Sequence, residues 1–245
     1  MNTPDQRVVG HRVIRKDSAI KVTGEAIYAG DIKMPGMLYG KALRSQYPHA
    51  KILSIDTSAA EAIEGVHCVM TARDLPGINR FGLAILDQPV LAEDKVRMMG
   101  DSVAFVAAES EELCEDAAPL VHEDVPGNIL QHTMVRKGDM TGIWEKCAYI
   151  VENDYSTQRV DHAYIEPEAA VAYLDINGVM NVLNSTQYPF RDRKQLAPIL
   201  NMPVNMVHVQ QQITGGGFGG KDDLNAEIPA SLLALKTGRP VRVVW

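Results

Sequence analysis

Residues 215–222 read Gly-Gly-Gly-Phe-Gly-Gly-Lys-Asp, five glycines around one phenylalanine. So many glycines cost backbone entropy. The cost makes sense where main chain must pass close to something and bind it through free N–H groups. An apolar run (Val204, Met206, Val207, Val209, Ile213) precedes the loop, and a helical stretch from Ala226 to Lys236 follows. Strand, glycine loop and helix N-terminus together form a common anion cradle.

Two nucleotide motifs nearly fit. Gly215, Gly220 and Lys221 satisfy the G-x-x-x-x-G-K part of a phosphate loop, but the next residue should be a magnesium-binding Ser or Thr. Here it is Asp222, followed by Asp223. Two carboxylates would repel a triphosphate, and Phe218 is bulky for a phosphate wrap. Gly215, Gly217 and Gly220 also satisfy G-x-G-x-x-G, but too near the chain end for the acidic residue expected about 20 positions later.

A longer set of motifs, in order along nearly the whole chain, fits better. These are Lys21-Val-Thr-Gly-Glu-Ala-Ile-Tyr-Ala-Gly-Asp31, Gly36 to Ser45, His49 to Asp56, Val96 to Glu109, His162-Ala-Tyr-Ile-Glu-Pro-Glu168, Asn184-Ser-Thr-Gln187 and the glycine loop. Together they resemble the molybdenum-binding subunit of the xanthine dehydrogenase and aldehyde oxidase family. The resemblance implies an α/β (α+β) fold, with an α/β hammerhead domain over residues 1–126. The first part of a molybdopterin-binding domain would occupy residues 127–245.

Site roles carry over where positions match. Gln187 corresponds to a glutamine that hydrogen-bonds near an oxo ligand of the molybdenum, and an amide can donate there without adding charge. Phe218 corresponds to the phenylalanine that packs on an aromatic substrate. The N–H groups of Gly216, Gly217 and Gly219 would lie close to the pterin or the metal ligands. Asp222 stands where purine-oxidising members usually carry a glutamate, which leaves its acceptor about one methylene further back. No direct protein ligand to the metal is implied. Each residue also has a plainer reading: Gln187 as a polar strand end, Phe218 as a core plug, Asp222 and Asp223 as caps of the next helix. His162 and Glu166 have the spacing of a helical metal pair, but Pro167 disfavours helix before it, which argues against a metal site.

The resemblance further implies hydroxylation of an electron-poor ring or aldehyde carbon, with water as the oxygen source. The cofactor would be molybdenum–molybdopterin, in the cytosine dinucleotide form or not. Electrons would leave through [2Fe-2S] centres and FAD on partner subunits or domains. Cys68, Cys114 and Cys147 include no C-x-x-C pair and read as buried small hydrophobes, so an iron–sulfur cluster needs another polypeptide. The family's later arginine and its C-terminal glutamate base would lie beyond Trp245. A further chain should therefore supply the rest of the site, and the isolated chain should not turn over. Alternatives are a non-catalytic remnant or a scaffold module that binds only partner subunits.

Net charge of −7 argues against nucleic acid. No run reaches membrane-span length, and Met1–Gly10 lacks a signal peptide's apolar region, so a cytoplasmic protein is expected. The pattern predicts strands over Leu38–Leu43, Ile52–Ile55, Val66–Met70, Val103–Ala107 and Tyr149–Tyr155. It also predicts a hairpin, Ala169–Leu174 with Val179–Leu183, turning at Asp175-Ile-Asn-Gly178, and a last strand over Val241–Trp245. Helices are expected over Thr57–Glu64, Glu111–Ala118, Asp139–Ala148, Arg191–Leu200 and Ala226–Lys236. Glu111–Ala118 runs directly into Pro119–Asp124, where the family normally inserts a strand. That omission should leave neighbouring strands with unpaired backbone groups.

Overall fold

The computed structural model describes residues 12–82, 85–112, 138–139, 141–158 and 160–245. Nine strands and four helices are seen among them. The strands are β1 (Leu38–Arg44), β2 (Ala50–Lys51), β3 (Val66–Met70), β4 (Lys95–Val96), β5 (Ser102–Ala108), β6 (Ala169–Leu174), β7 (Met180–Asn184), β8 (Val207–Gln211) and β9 (Val241–Val244). The helices are α1 (Ser18–Thr23), α2 (Ser58–Glu61), α3 (Pro189–Ile199) and α4 (Glu227–Thr237).

Seven strands form one mixed sheet in the order β3-β5-β1-β9-β6-β7-β8, and β2 pairs with β4 in a small second ladder. The last strand, β9, sits in the middle. It runs parallel to β1 and antiparallel to β6, so strands from both halves of the chain share one sheet. β5 explains how the sheet is covered. Phe105 and Ala107 join the large core under α3 and α4, whereas Ala104, Val106 and Ala108 face a smaller cluster containing Ala60 of α2. A strand covered on both faces reads as a continuous apolar run, as Val103 to Ala108 does.

Helix α4 is buried along almost its whole length, from Glu227 to Ala234. It lies close to the sheet at Gly40, where a Cβ would come within 2.9 Å of Leu233 Cδ1 and 2.7 Å of Val243 Cγ2. Gly238 ends the helix in the left-handed conformation, and Pro240 follows. The β6–β7 hairpin has the expected turn, with the Asp175 carboxylate accepting the N–H groups of Asn177 and Val179.

Four expectations are corrected. The strand expected over Ile52–Ile55 is confined to Ala50–Lys51; only Ile52 N–H continues the contact, to Asp94 O. Tyr149–Tyr155 forms no ladder. The segment finds no partner strand among the described residues, and Tyr149 is 91% exposed. The helix over Asp139–Ala148 reduces to one 3-10 turn, Trp144–Lys146. Gly142 is left-handed before it, and the Asp139 carboxylate caps a local turn at Thr141 instead. Cys147 is exposed rather than buried, whereas Cys68 is buried and its thiol is pushed up to about 11 by burial.

Residues 1–11, Cys114, most of Glu111–Ala118, Pro119–Asp124 and the division at 126/127 lie outside the described residues. No helix among the described residues is long and apolar enough to cross a membrane.

Candidate cofactor-facing site

Two parallel neighbours carry the site. β7 ends at Asn184 and delivers Ser185-Thr186-Gln187 to the start of α3, where Pro189 occupies the first turn. Beside it, β8 ends at Gln211 and delivers the glycine loop. The two connections are stitched together: Gln212 N–H donates to Asn184 O, and Gln187 N–H donates to Lys221 O at 3.1 Å. Gln187 is thus not a strand end; it lies three residues past one.

The Gln187 side chain rests on the loop. Gly219 N–H donates to its Oε1 at 3.1 Å. A main-chain N–H can only donate, so the amide oxygen must face the loop and Nε2 is left as the outward donor. Nε2 makes no hydrogen bond among the described residues. Gly217 is glycine for a local reason: a Cβ there would collide with the Gln187 amide.

Phe218 is 75% exposed, so it is no core plug. Its backbone is left-handed (φ 52), a conformation that bulky residues rarely adopt and that marks local strain. Its ring folds back over Gly216, where a Cβ would come within 3.2 Å of it. Gly215 N–H and Gly219 N–H are engaged by side chains, and Gly220 N–H turns back to Gly217 O at 2.7 Å. The N–H groups of Gly216, Gly217 and Phe218 carry no hydrogen bond to the described residues. Three consecutive free donors suit an electron-rich ligand. Next to Gln187 opens a cavity of about 450 Å³ lined by Tyr188, Pro189, Phe190, Arg191 and Lys194.

Lys221 explains why the phosphate-loop pattern is misleading. Its side chain is 1% exposed and its ammonium is paired with Glu166 at 2.7 Å, with the Tyr164 ring beneath it. It cannot reach a phosphate in solvent. Glu166 and His162 do not form a helical pair either; the segment is irregular, and Ala163 is left-handed. His162 packs against Gly220, and Glu166 turns to the loop. Among the described residues no group of three or more His, Cys, Asp and Glu side chains is arranged to hold a metal. Asp222 and Asp223 do not cap α4, which begins four residues after Asp223 with Glu227 as its acidic first-turn residue. Asp223 accepts Leu224 N–H, and one oxygen of Asp222 is buried without a partner.

Beneath these connections lies a polar layer that sequence reasoning missed. Asn184 is fully buried and its Nδ2 donates to Glu227 at 2.7 Å and to Asp192 at 3.3 Å. Glu168 lies nearby, accepting from Tyr164 Oη at 3.2 Å. Burial, and then the charge of Glu227, push the carboxyls of Asp192 and Glu168 each up to about 7. Burial likewise raises Glu227. The only hint in the sequence was Asn184 at the head of the Asn-Ser-Thr-Gln motif.

Against this geometry, family comparison is decisive. Residues 121–245 match the molybdopterin cofactor-binding domain, and residues 23–124 match the α/β hammerhead domain of aldehyde oxidase and xanthine dehydrogenase. The chain belongs to the molybdenum hydroxylase family. It is 43% identical to a probable xanthine dehydrogenase subunit from Bacillus subtilis, over 94% of this chain and 34% of that protein. It is 39% identical to the nicotinate dehydrogenase large molybdopterin subunit of Eubacterium barkeri, over 98% of this chain and 62% of that one. Among solved structures, quinoline 2-oxidoreductase from Pseudomonas putida 86 superposes with a TM-score of 0.82 at 30% identity, covering 95% of this chain and 34% of that chain. The chain thus spans between about a third and about three fifths of the length of these relatives. Its fold is a hammerhead portion followed by a molybdopterin-binding portion.

Proposed function

We propose that this chain contributes part of the molybdopterin-facing wall of a hydroxylase acting on an electron-poor nitrogen heterocycle, with purine as the first candidate. One observation carries the reading: the Gln187 amide is locked to the glycine loop through Gly219, beside three unengaged N–H donors and an exposed Phe218 ring. The free donors suit a group rich in acceptor atoms. A Cβ at Gly217 would collide with the Gln187 amide that lies beside these donors. When bound, the molybdenum–molybdopterin group supplies the redox chemistry that moves oxygen from water to the ring carbon.

The protein's own residues then bind and orient. Gly216, Gly217 and Phe218 donate main-chain hydrogen bonds to the cofactor. Gly219 fixes the Gln187 amide so that Nε2 donates toward the reacting centre. Phe218 offers an uncovered ring face on which a flat heterocycle stacks. Asp222 is the acceptor at the substrate edge. Two relatives are named for xanthine and nicotinate, both nitrogen heterocycles, which favours that class over aldehydes.

A general base must stand within hydrogen-bond reach of the proton it takes. Glu166 is already paired with Lys221, and Asp222, the nearest conceivable base, keeps one oxygen buried, so in this reading the base lies outside these residues. In this reading residues 1–126 are the hammerhead part and 127–245 begin the cofactor domain. FAD and [2Fe-2S] lie on partner subunits or domains.

The test is oxidation of xanthine and nicotinate by the chain purified alone and by the chain co-expressed with its partners. Turnover is expected only in the assembly, and Gln187→Ala should lower kcat there by about a hundredfold, as removal of one positioned donor does. An unchanged kcat in Gln187→Ala, or turnover by the chain alone, contradicts the reading.

A further inference from the structure

One oxygen of Glu166 holds both ends of the glycine loop. Glu166 Oε2 accepts Gly215 N–H at 2.6 Å and the Lys221 ammonium at 2.7 Å. Gly215 and Lys221 bracket the five residues that carry the free donors and Phe218. The pair is buried, with Glu166 8% and Lys221 1% exposed. The surroundings reinforce it: the Tyr164 ring lies 4.8 Å from the Lys221 ammonium, and Gln187 N–H takes the Lys221 carbonyl. Lys21 of α1 adds a tie one residue upstream, donating to Thr214 O at 2.7 Å.

We infer that Glu166 and Lys221 are positioning residues, a buried electrostatic clamp that closes the loop and thereby sets Phe218 and the Gln187 amide. This rests on the reading of the loop as the cofactor-facing element, although the clamp itself is a property of the chain. The physical argument concerns why a charged pair stands here. Two well-packed apolar side chains would hold a core equally well, because a buried ion pair contributes little net stability. An apolar pair, however, could not accept Gly215 N–H. The carboxylate serves two donors at once and joins residues six positions apart. The loop needs such a constraint because glycines disfavour any single conformation and Phe218 sits in a strained one.

The experiment uses the full chain and the double variant Glu166→Gln/Lys221→Met. Removing both charges avoids the uncompensated buried charge that either single change would leave. A glutamine at 166 can still accept Gly215 N–H but no longer ties it to position 221. The readout is hydrogen exchange at Gly219, whose partner is Gln187 and not either mutated residue. The expected result is at least about tenfold faster exchange at Gly219 with α4 amides unchanged, the pattern of a local opening. Exchange at Gly219 equal to wild type overturns the clamp. So does a uniform rise that includes α4, because the pair would then be only a folding contact. Loop protection that depends on the pair, together with an assembly of the chain and its partners that never takes up molybdopterin, would uphold the clamp and refute the functional reading instead.

Discussion

At the scale of single residues, the site depends on what is missing as much as on what is present. Gly217 lacks the Cβ that would collide with the Gln187 amide, and its backbone is not left-handed. Gly217→Ala is therefore a clean displacement of that amide. The obstructing atoms belong to the far end of a flexible side chain, so the fold should lose less than about 1 kcal/mol, below the usual cost of overpacking. Molybdenum content of the assembled enzyme, measured per chain, should nevertheless fall severalfold. Full metal content in Gly217→Ala would mean the amide and the loop act independently. The residues of this site were legible because glycine density and the Asn-Ser-Thr-Gln motif are local. Glu166 was not legible as a clamp. Its two partners lie 49 and 55 positions away, and the only local pattern it offered was a spacing from His162.

At the scale of elements, strands were legible where an apolar or β-favouring run coincided with a partner. β1, β3, β5 and the β6–β7 hairpin lie where the pattern placed them. Tyr149–Tyr155 opens with the β-favouring residues Tyr149, Ile150 and Val151 but has no ladder, because residue type does not supply the neighbour that must accept the hydrogen bonds. The junction of β7, α3 and α4 shows a second limit. Asn184, Asp192 and Glu227 come from three elements and meet in the interior, a juxtaposition no local pattern encodes.

That junction makes a pH prediction. The unfolded Asp carboxyl titrates near 4, whereas folded Asp192 is raised to about 7 by burial and by the charge of Glu227. The folded state therefore holds this proton more tightly. Its stabilising effect is full below about pH 4 and is lost as pH rises through about 7; Glu168 acts in the same sense over the same window. Asp192→Asn keeps the neutral form and can still accept from Asn184. It should raise stability at pH 8 by roughly 2 kcal/mol and flatten the pH dependence of urea midpoints between pH 4 and 8. A midpoint at pH 8 no higher than wild type would show that Asp192 is ionised in the fold at little cost.

At the scale of the whole molecule, β9 is the element that unites the chain. It fills the gap between β1 and β6, so the hammerhead and cofactor-binding portions share hydrogen bonds and not merely a surface. The sequence indicated a strand there but not its place, because strand order depends on contacts more than 200 residues apart along the chain. The shared sheet also fixes where the candidate site residues lie. β7 and β8 run parallel at one side of it, and their ends carry Gln187 and the glycine loop out together. The most direct measurement of the central claim is amide exchange at Gly216, Gly217 and Phe218 in the assembled enzyme with and without molybdopterin. These three N–H groups have no protein partner among the described residues; Gly216 and Phe218 are also accessible, so these two should exchange freely without the cofactor, and all three should become protected at least about tenfold with it. Cofactor bound in full while all three amides exchange as before would contradict the account.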